Sequence, residues 1–223
     1  MIYFKKTQPA PKSLLKEKNK KNGNPNQDDV VEQLHKDFYH KCYICEYREH
    51  SLCVEHFVPH RNDPDLKFDW NNLFLACAHC NNIKGTKYLD ILNCTDINDS
   101  VDTKIAYKCN LFPTSNARFR ALDESEKTKN TVRLLQDVFD GTTVAKKKEC
   151  INLNKALAKE MRDFNNLIWD YYESVDDEDR LRVLARIKSH LHKGANFSAF
   201  KRYAIRREEI TREDFEKYIQ DED

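Results

Sequence analysis

Two cysteine pairs, Cys42-x-x-Cys45 and Cys77-x-x-Cys80, enclose residues 46 to 76 and constrain this chain more than any other feature. A two-residue spacer lets a tight turn aim two thiolates at one point, and two such turns complete a tetrahedral zinc site. The interval exceeds that of short zinc ribbons, so a folded insert must lie between the pairs. The same residues also admit the plainer reading of four free buried thiols. Cys53, Cys94, Cys109 and Cys150 have no partner at ligand spacing and read as small core hydrophobes. A four-thiolate site alone means structural zinc and says nothing of activity, so the insert must decide it.

The insert runs strand, loop, strand, helix. Val54-Glu55-His56-Phe57-Val58 alternates like a strand and ends at Pro59, Leu73-Phe74-Leu75-Ala76 is a second apolar run, and a helix is expected from Asn81 onward. His56 lies in the middle of the first run, and a neutral imidazole near its ordinary pKa is a good general base at physiological pH. His60 admits two readings, a loop imidazole in solvent or a contact to phosphate. His79, inside the second pair, is a substitute fifth donor where four thiolates already suffice.

Glu55-His56-Phe57-Val58-Pro59, then Asn72-Leu73, then Cys77-Ala78-His79-Cys80-Asn81-Asn82-Ile83-Lys84-Gly85 resemble the HNH, or ββα-metal, endonuclease family. The resemblance implies phosphodiester hydrolysis with catalytic residues His56, Glu55, Asn72 and Asn81. In it, His56 activates water, Glu55 and Asn81 grip a divalent ion, and Asn72 ties the loop to the strands. Oxygen donors suit Mg²⁺ or Mn²⁺, beside zinc on Cys42, Cys45, Cys77 and Cys80. Lys84 is either a phosphate contact or plain surface charge. Glu55 stands where the family more often has Asp, and the extra methylene moves the carboxylate by about a bond length.

Shorter runs are similar to the HNH subunits of Septu and retron anti-phage systems. These are KCYICE before the first strand, Leu153-Asn154 with Leu157 and Arg162, Phe197-Ser198-Ala199-Phe200 with Arg202, and Gln8-Pro9-Ala10-Pro11-Lys12. The resemblance implies a DNA substrate, an ABC- or SMC-like ATPase partner and a hetero-oligomer. Cutting of RNA such as transfer RNA at the same site, and an inert zinc-stapled DNA-binding or assembly module, stay open.

The rest of the chain is expected to frame this unit. The fold class is α+β, a small ββα-metal core with a four-cysteine zinc site among helices, in three parts. Residues 1–40 form a basic arm and a helix carrying Val30, Val31, Leu34 and Phe38. Residues 41–90 form the nuclease core, and residues 91–223 a mainly helical region that docks a partner. The arm holds Lys5, Lys6, Lys12, Lys16, Lys18, Lys20 and Lys21 against Glu17, which suits phosphate contact or a solvated, partly disordered tail, while net charge is only +1. Residues 89–123, including the NLFPTSN run, read as turns and short strands. Helices are expected over 128–139, 150–172, 179–191 and 211–219, with Thr211 and Asp214 as a capping box. No apolar run approaches the ~20 residues needed to span a bilayer, and the N-terminus has no signal-peptide core, so a cytoplasmic protein is expected.

Overall fold

Strand β1, Leu52–His56, pairs antiparallel with β2, Leu73–Cys77, in a register that sets Glu55 opposite Phe74 and His56 opposite Leu73. In the computed structural model, which describes residues 1–49, 51–109 and 116–219, this hairpin and the helix after it form the strand–loop–strand–helix unit read from the sequence. Every residue of β2 is buried, because α2 (Asp28–Asp37) and α4 (Ala78–Lys84) both pack on it. This explains its unbroken apolar run in place of alternation. Helix α4 begins inside the second cysteine pair, three residues earlier than expected. Cys77 caps it, its sulfur accepting the Cys80 N–H at 3.5 Å.

The loop between the strands is fastened by turn chemistry. Asp63 caps α3, Pro64–Lys67, whose first residue is proline, and Asp69 caps a 3₁₀ turn over Trp70–Asn72. Lys67 Nζ donates to Gly23 O at 2.7 Å, and Lys18 pairs with Asp65 at 2.5 Å, so the N-terminal segment holds this loop from outside. Gly23 must be glycine, since a Cβ there would lie 1.9 Å from Glu17 O.

The first 26 residues are not a free arm, which corrects the expectation drawn from their lysines. Met1, Ile2 and Phe4 are fully buried, Lys6 Nζ donates to Leu73 O at 2.6 Å and to Trp70 O, and α1 spans Lys12–Lys18. Burying an apolar side chain contributes roughly 1.5–3 kcal/mol, enough for the short apolar start to dock the segment despite its charge. Lys12, Lys16, Lys18, Lys20 and Lys21 remain exposed on the docked segment.

Helices make up most of the remainder. A hairpin of β3 (Ile105–Lys108) and β4 (Arg118–Ala121) lies between α5 (Glu126–Asp140) and α8 (Ser198–Arg207). Its Tyr107 and Phe119 meet Phe139 and Phe200 with ring centroids 5.0 to 5.8 Å apart. Residues 110–115, most of the NLFPTSN run, lie outside the described residues. Helix α6, Val144–Glu173, starts six residues before the expected helix because Thr143 caps it, and its stripe of Leu153, Leu157, Met161, Phe164 and Leu167 is core. Helix α7, Asp177–Leu191, packs against α6 behind an Asp176 cap.

The last helix, α9, spans Glu209–Phe215, followed by a 3₁₀ turn over Glu216–Tyr218. The expected Thr211 cap is not one: its hydroxyl donates to Ile205 O and Glu208 O, and the chain enters the helix at Glu208. One hydrophobic cluster runs from Met1 to Ile219. The C-terminal region also grips the first cysteine turn directly. Phe197 N–H donates to Glu46 O at 3.0 Å, Ala199 N–H to the Glu46 carboxylate at 3.0 Å, and Lys41 Nζ to Ala195 O at 2.7 Å. The Met1 ammonium also pairs with Glu46 at 3.1 Å.

Candidate active site

The four paired cysteines converge. Their sulfurs lie within 4.8 Å of one another and all four residues are buried. Four thiolates around zinc at ~2.3 Å stand roughly 3.8 Å apart, so the donor set fits such an ion with little adjustment. Tyr43 N–H donates to Leu75 O at 3.0 Å, which ties the first turn to β2 and so to the strands beside it. His79 is not a donor to this cluster, since its Nδ1 faces Glu149 at 2.5 Å and its Nε2 faces Val138 O at 2.8 Å. Of the remaining cysteines, Cys94 and Cys150 are buried as expected, but Cys53, on β1, is exposed.

The four motif residues gather around the end of β1. Glu55, His56, His60 and Asn81 line one cleft of about 440 Å³ with Arg61 and Asn62, and Asn72 is buried beneath it. Asn72 is hydrogen-bonded to the loop. Its Oδ1 accepts the Val58 N–H at 2.7 Å, and its Nδ2 donates to Val58 O and Leu66 O, both at 2.9 Å. A second cavity, about 360 Å³, lies beside the cysteine cluster between His79, Lys146 and Glu149. None of the four motif residues lines it.

His56 is held in a defined tautomer. Its Nε2 lies 3.0 Å from Lys67 O, and a carbonyl can only accept, so Nε2 carries the proton and Nδ1 the lone pair. Burial lowers its pKa below the ordinary 6.5, and neighbouring His60 adds to the effect against the Lys67 hydrogen bond. His60 sits with its ring centroid 4.6 Å from that of His56. Its Nδ1 accepts the Asn62 N–H at 3.0 Å, which leaves the proton on Nε2. The two rings therefore offer opposite faces, one a base and one a donor.

Lys84 departs from its expected place at the surface. It is fully buried and forms an ion pair with Glu55 Oε1 at 2.6 Å, and it also donates to Phe57 O at 2.8 Å and His56 O at 3.2 Å. It is therefore not available as a phosphate contact. The other Glu55 oxygen accepts from the Tyr43 hydroxyl at 3.1 Å. Burial raises the Glu55 pKa even though Lys84 and Tyr43 pull it down. Asn81 Nδ2 lies 3.7 Å from Cys53 Sγ, at the cleft margin. Lys84 on one Glu55 oxygen and Tyr43 on the other still leave each oxygen a lone pair, so the carboxylate can face a divalent ion in the cleft, but with its charge partly neutralised. Sequence reasoning missed Tyr43 and the Lys67 carbonyl. Tyr43 lies inside the first cysteine pair, where only its position invited notice, and a backbone carbonyl leaves no signal in residue type.

Comparison with known proteins assigns the unit. Residues 42–87 match the HNH endonuclease family. They form an HNH endonuclease domain. The chain is also similar to the Septu protein PtuB of Bacillus thuringiensis, with 43% identity over 67 residues. That match takes in 28% of this chain and only 25% of the length of PtuB. Among the described residues, no helix is long and apolar enough to cross a membrane.

Proposed function

We propose that this protein is an endonuclease that hydrolyses phosphodiester bonds of DNA, with His56 as general base. The observation that carries the reading is the Nε2 contact of His56 to Lys67 O, which leaves Nδ1 basic in the cleft shared with His60 and Asn81. His56 Nδ1 takes a proton from water, the resulting hydroxide attacks phosphorus, the P–O bond to the leaving oxygen breaks as that oxygen takes a proton from solvent, and the imidazolium then returns its proton to solvent. His60 Nε2–H and Arg61 donate to the non-bridging phosphate oxygens. Asn72 keeps the loop carrying Lys67 and His60 in register with β1. Zinc on the four cysteines holds β2 and α4 together and takes no part in the reaction. The Mg²⁺ or Mn²⁺ that the resemblance implies would find the Glu55 carboxylate already neutralised by Lys84.

The setting we propose is Septu-type anti-phage defence in the cytoplasm, as a hetero-oligomer with an ABC- or SMC-like ATPase. Two observations support a partner. The net charge of +1 supplies no broad basic surface, so much of the grip on nucleic acid has to come from elsewhere. Trp169, Val175 and Leu181 stand 66%, 93% and 65% exposed around the α6–α7 connection. Co-purification from the native host tests this, and recovery of the tagged protein with no ATPase would remove the partner from the account. Incubation of the wild type and of His56→Ala with supercoiled plasmid and with total transfer RNA tests the activity. Loss of plasmid cutting in the variant supports the DNA reading, and cutting of transfer RNA alone moves the substrate to RNA.

A further inference from the structure

Glu55 has two claims on it. From beneath the strand, Lys84 presents an ammonium whose three N–H groups are matched by Glu55 Oε1, Phe57 O and His56 O. From the other side, Glu55 lines the cleft beside His56 and Asn81, where a hard cation would enter. A carboxylate already paired with an ammonium attracts a divalent ion less, and the ammonium itself repels that ion across a few ångströms. The two backbone carbonyls give Lys84 partners that remain when Glu55 turns away, so its charge is not left wholly unsolvated. The Tyr43 hydroxyl on the second oxygen completes the hold on the inward position.

We propose, on the nuclease reading, that Lys84 is a positioning residue that competes with the catalytic divalent ion for Glu55 and so sets a weak resting affinity for metal. Lys84 acts through Glu55 and does not touch the substrate. Metal binding in this enzyme is therefore an exchange of counter-ions on one carboxylate. Nucleic acid in the cleft favours the exchange, because phosphate oxygens add donors for the ion.

Mn²⁺ titration followed by electron paramagnetic resonance, on the full zinc-loaded chain, tests the proposal directly. Lys84→Met and Lys84→Gln should bind Mn²⁺ about tenfold or more tightly than the wild type, and the double variant Glu55→Gln/Lys84→Gln should lose that gain. A lysine needed only for packing would change the melting temperature without tightening Mn²⁺ binding. Unchanged or weaker Mn²⁺ binding in a folded Lys84 variant overturns the proposal. If neither variant folds, the wild type decides. The ¹³Cε resonance of Lys84 in lysine-labelled protein should shift as Mg²⁺ saturates, and no shift overturns the proposal. Metal-dependent, His56-dependent cutting by the wild type, with no tighter binding in the variants, sinks this inference alone. Absence of both cutting and Mn²⁺ binding sinks the nuclease reading with it.

Discussion

Replacing Asn72 by alanine should cost more than its size suggests, because this one side chain satisfies three backbone groups. Val58 N–H, Val58 O and Leu66 O each lose their partner in Asn72→Ala. A buried polar group left unpaired costs about 1–3 kcal/mol, so three would reach several kcal/mol if all stayed dry. Val58 is 41% exposed, and water can reach part of that loop. The discounted expectation is a loss of roughly 2–4 kcal/mol, a large part of the ~5–15 kcal/mol that holds a typical domain. Asn72→Asp is the sharper probe. It keeps the acceptor for Val58 N–H but turns a second oxygen, with no proton to donate, toward two carbonyls. Urea unfolding of the zinc-loaded protein reads both variants, and Asn72→Asp should be at least as destabilised as Asn72→Ala. If either variant unfolds within about 0.5 kcal/mol of the wild type, the proposed fastening of the loop is wrong.

Further predictions follow from other parts of the molecule. Elemental analysis should find about one zinc per chain, and Cys80→Ser should lose it together with cooperative folding, whereas Cys109→Ser should keep both. The acid limb of the cleavage rate should have its midpoint below 6.5. Burial lowers the His56 pKa, so the neutral base survives to lower pH and is lost only as pH falls through that depressed value. A midpoint above 7 in the pH profile would contradict this. The pair of buried Lys201 and partly exposed Glu160, 2.7 Å apart, should be asymmetric in thermal melts. Glu160→Gln strands an ammonium that is only 1% exposed and should destabilise by about 1–3 kcal/mol, while Lys201→Met should be close to neutral.

The parts legible in the sequence are those where chemistry fixes spacing. Two cysteine pairs can close on one ion only if their turns face each other, and the strand after the first pair must then return to the second. The burial of β2 on both faces follows from an unbroken apolar run. The long amphipathic stripe of α6 likewise declared itself through Leu153, Leu157, Met161 and Phe164. What stayed hidden depended on partners distant in sequence. The lysines of the first 26 residues suggested a free arm, yet Met1, Ile2 and Phe4 carry enough apolar area to dock it. Helix α8 was obscured because Lys201 and Arg202 are buried against Glu160 and Asp102, and so break the apolar stripe. Lys84 read as either a phosphate contact or surface charge for the same reason, since nothing local shows that Glu55 waits for it across the strand. The start of α4 was displaced because a cysteine sulfur, and not a hydroxyl or carboxylate, serves as its cap.

The central claim is that His56 is the base of a nuclease site, and one comparison tests it most directly. Purified wild type and His56→Ala, matched in zinc content and melting temperature, are incubated with supercoiled plasmid and total transfer RNA in Mg²⁺ or Mn²⁺, with and without the ATPase. The account predicts plasmid relaxation or linearisation by the wild type and a loss of at least about a hundredfold in the variant. Equal cutting by both proteins, or none by a folded, zinc-loaded wild type under any of these conditions, would contradict it.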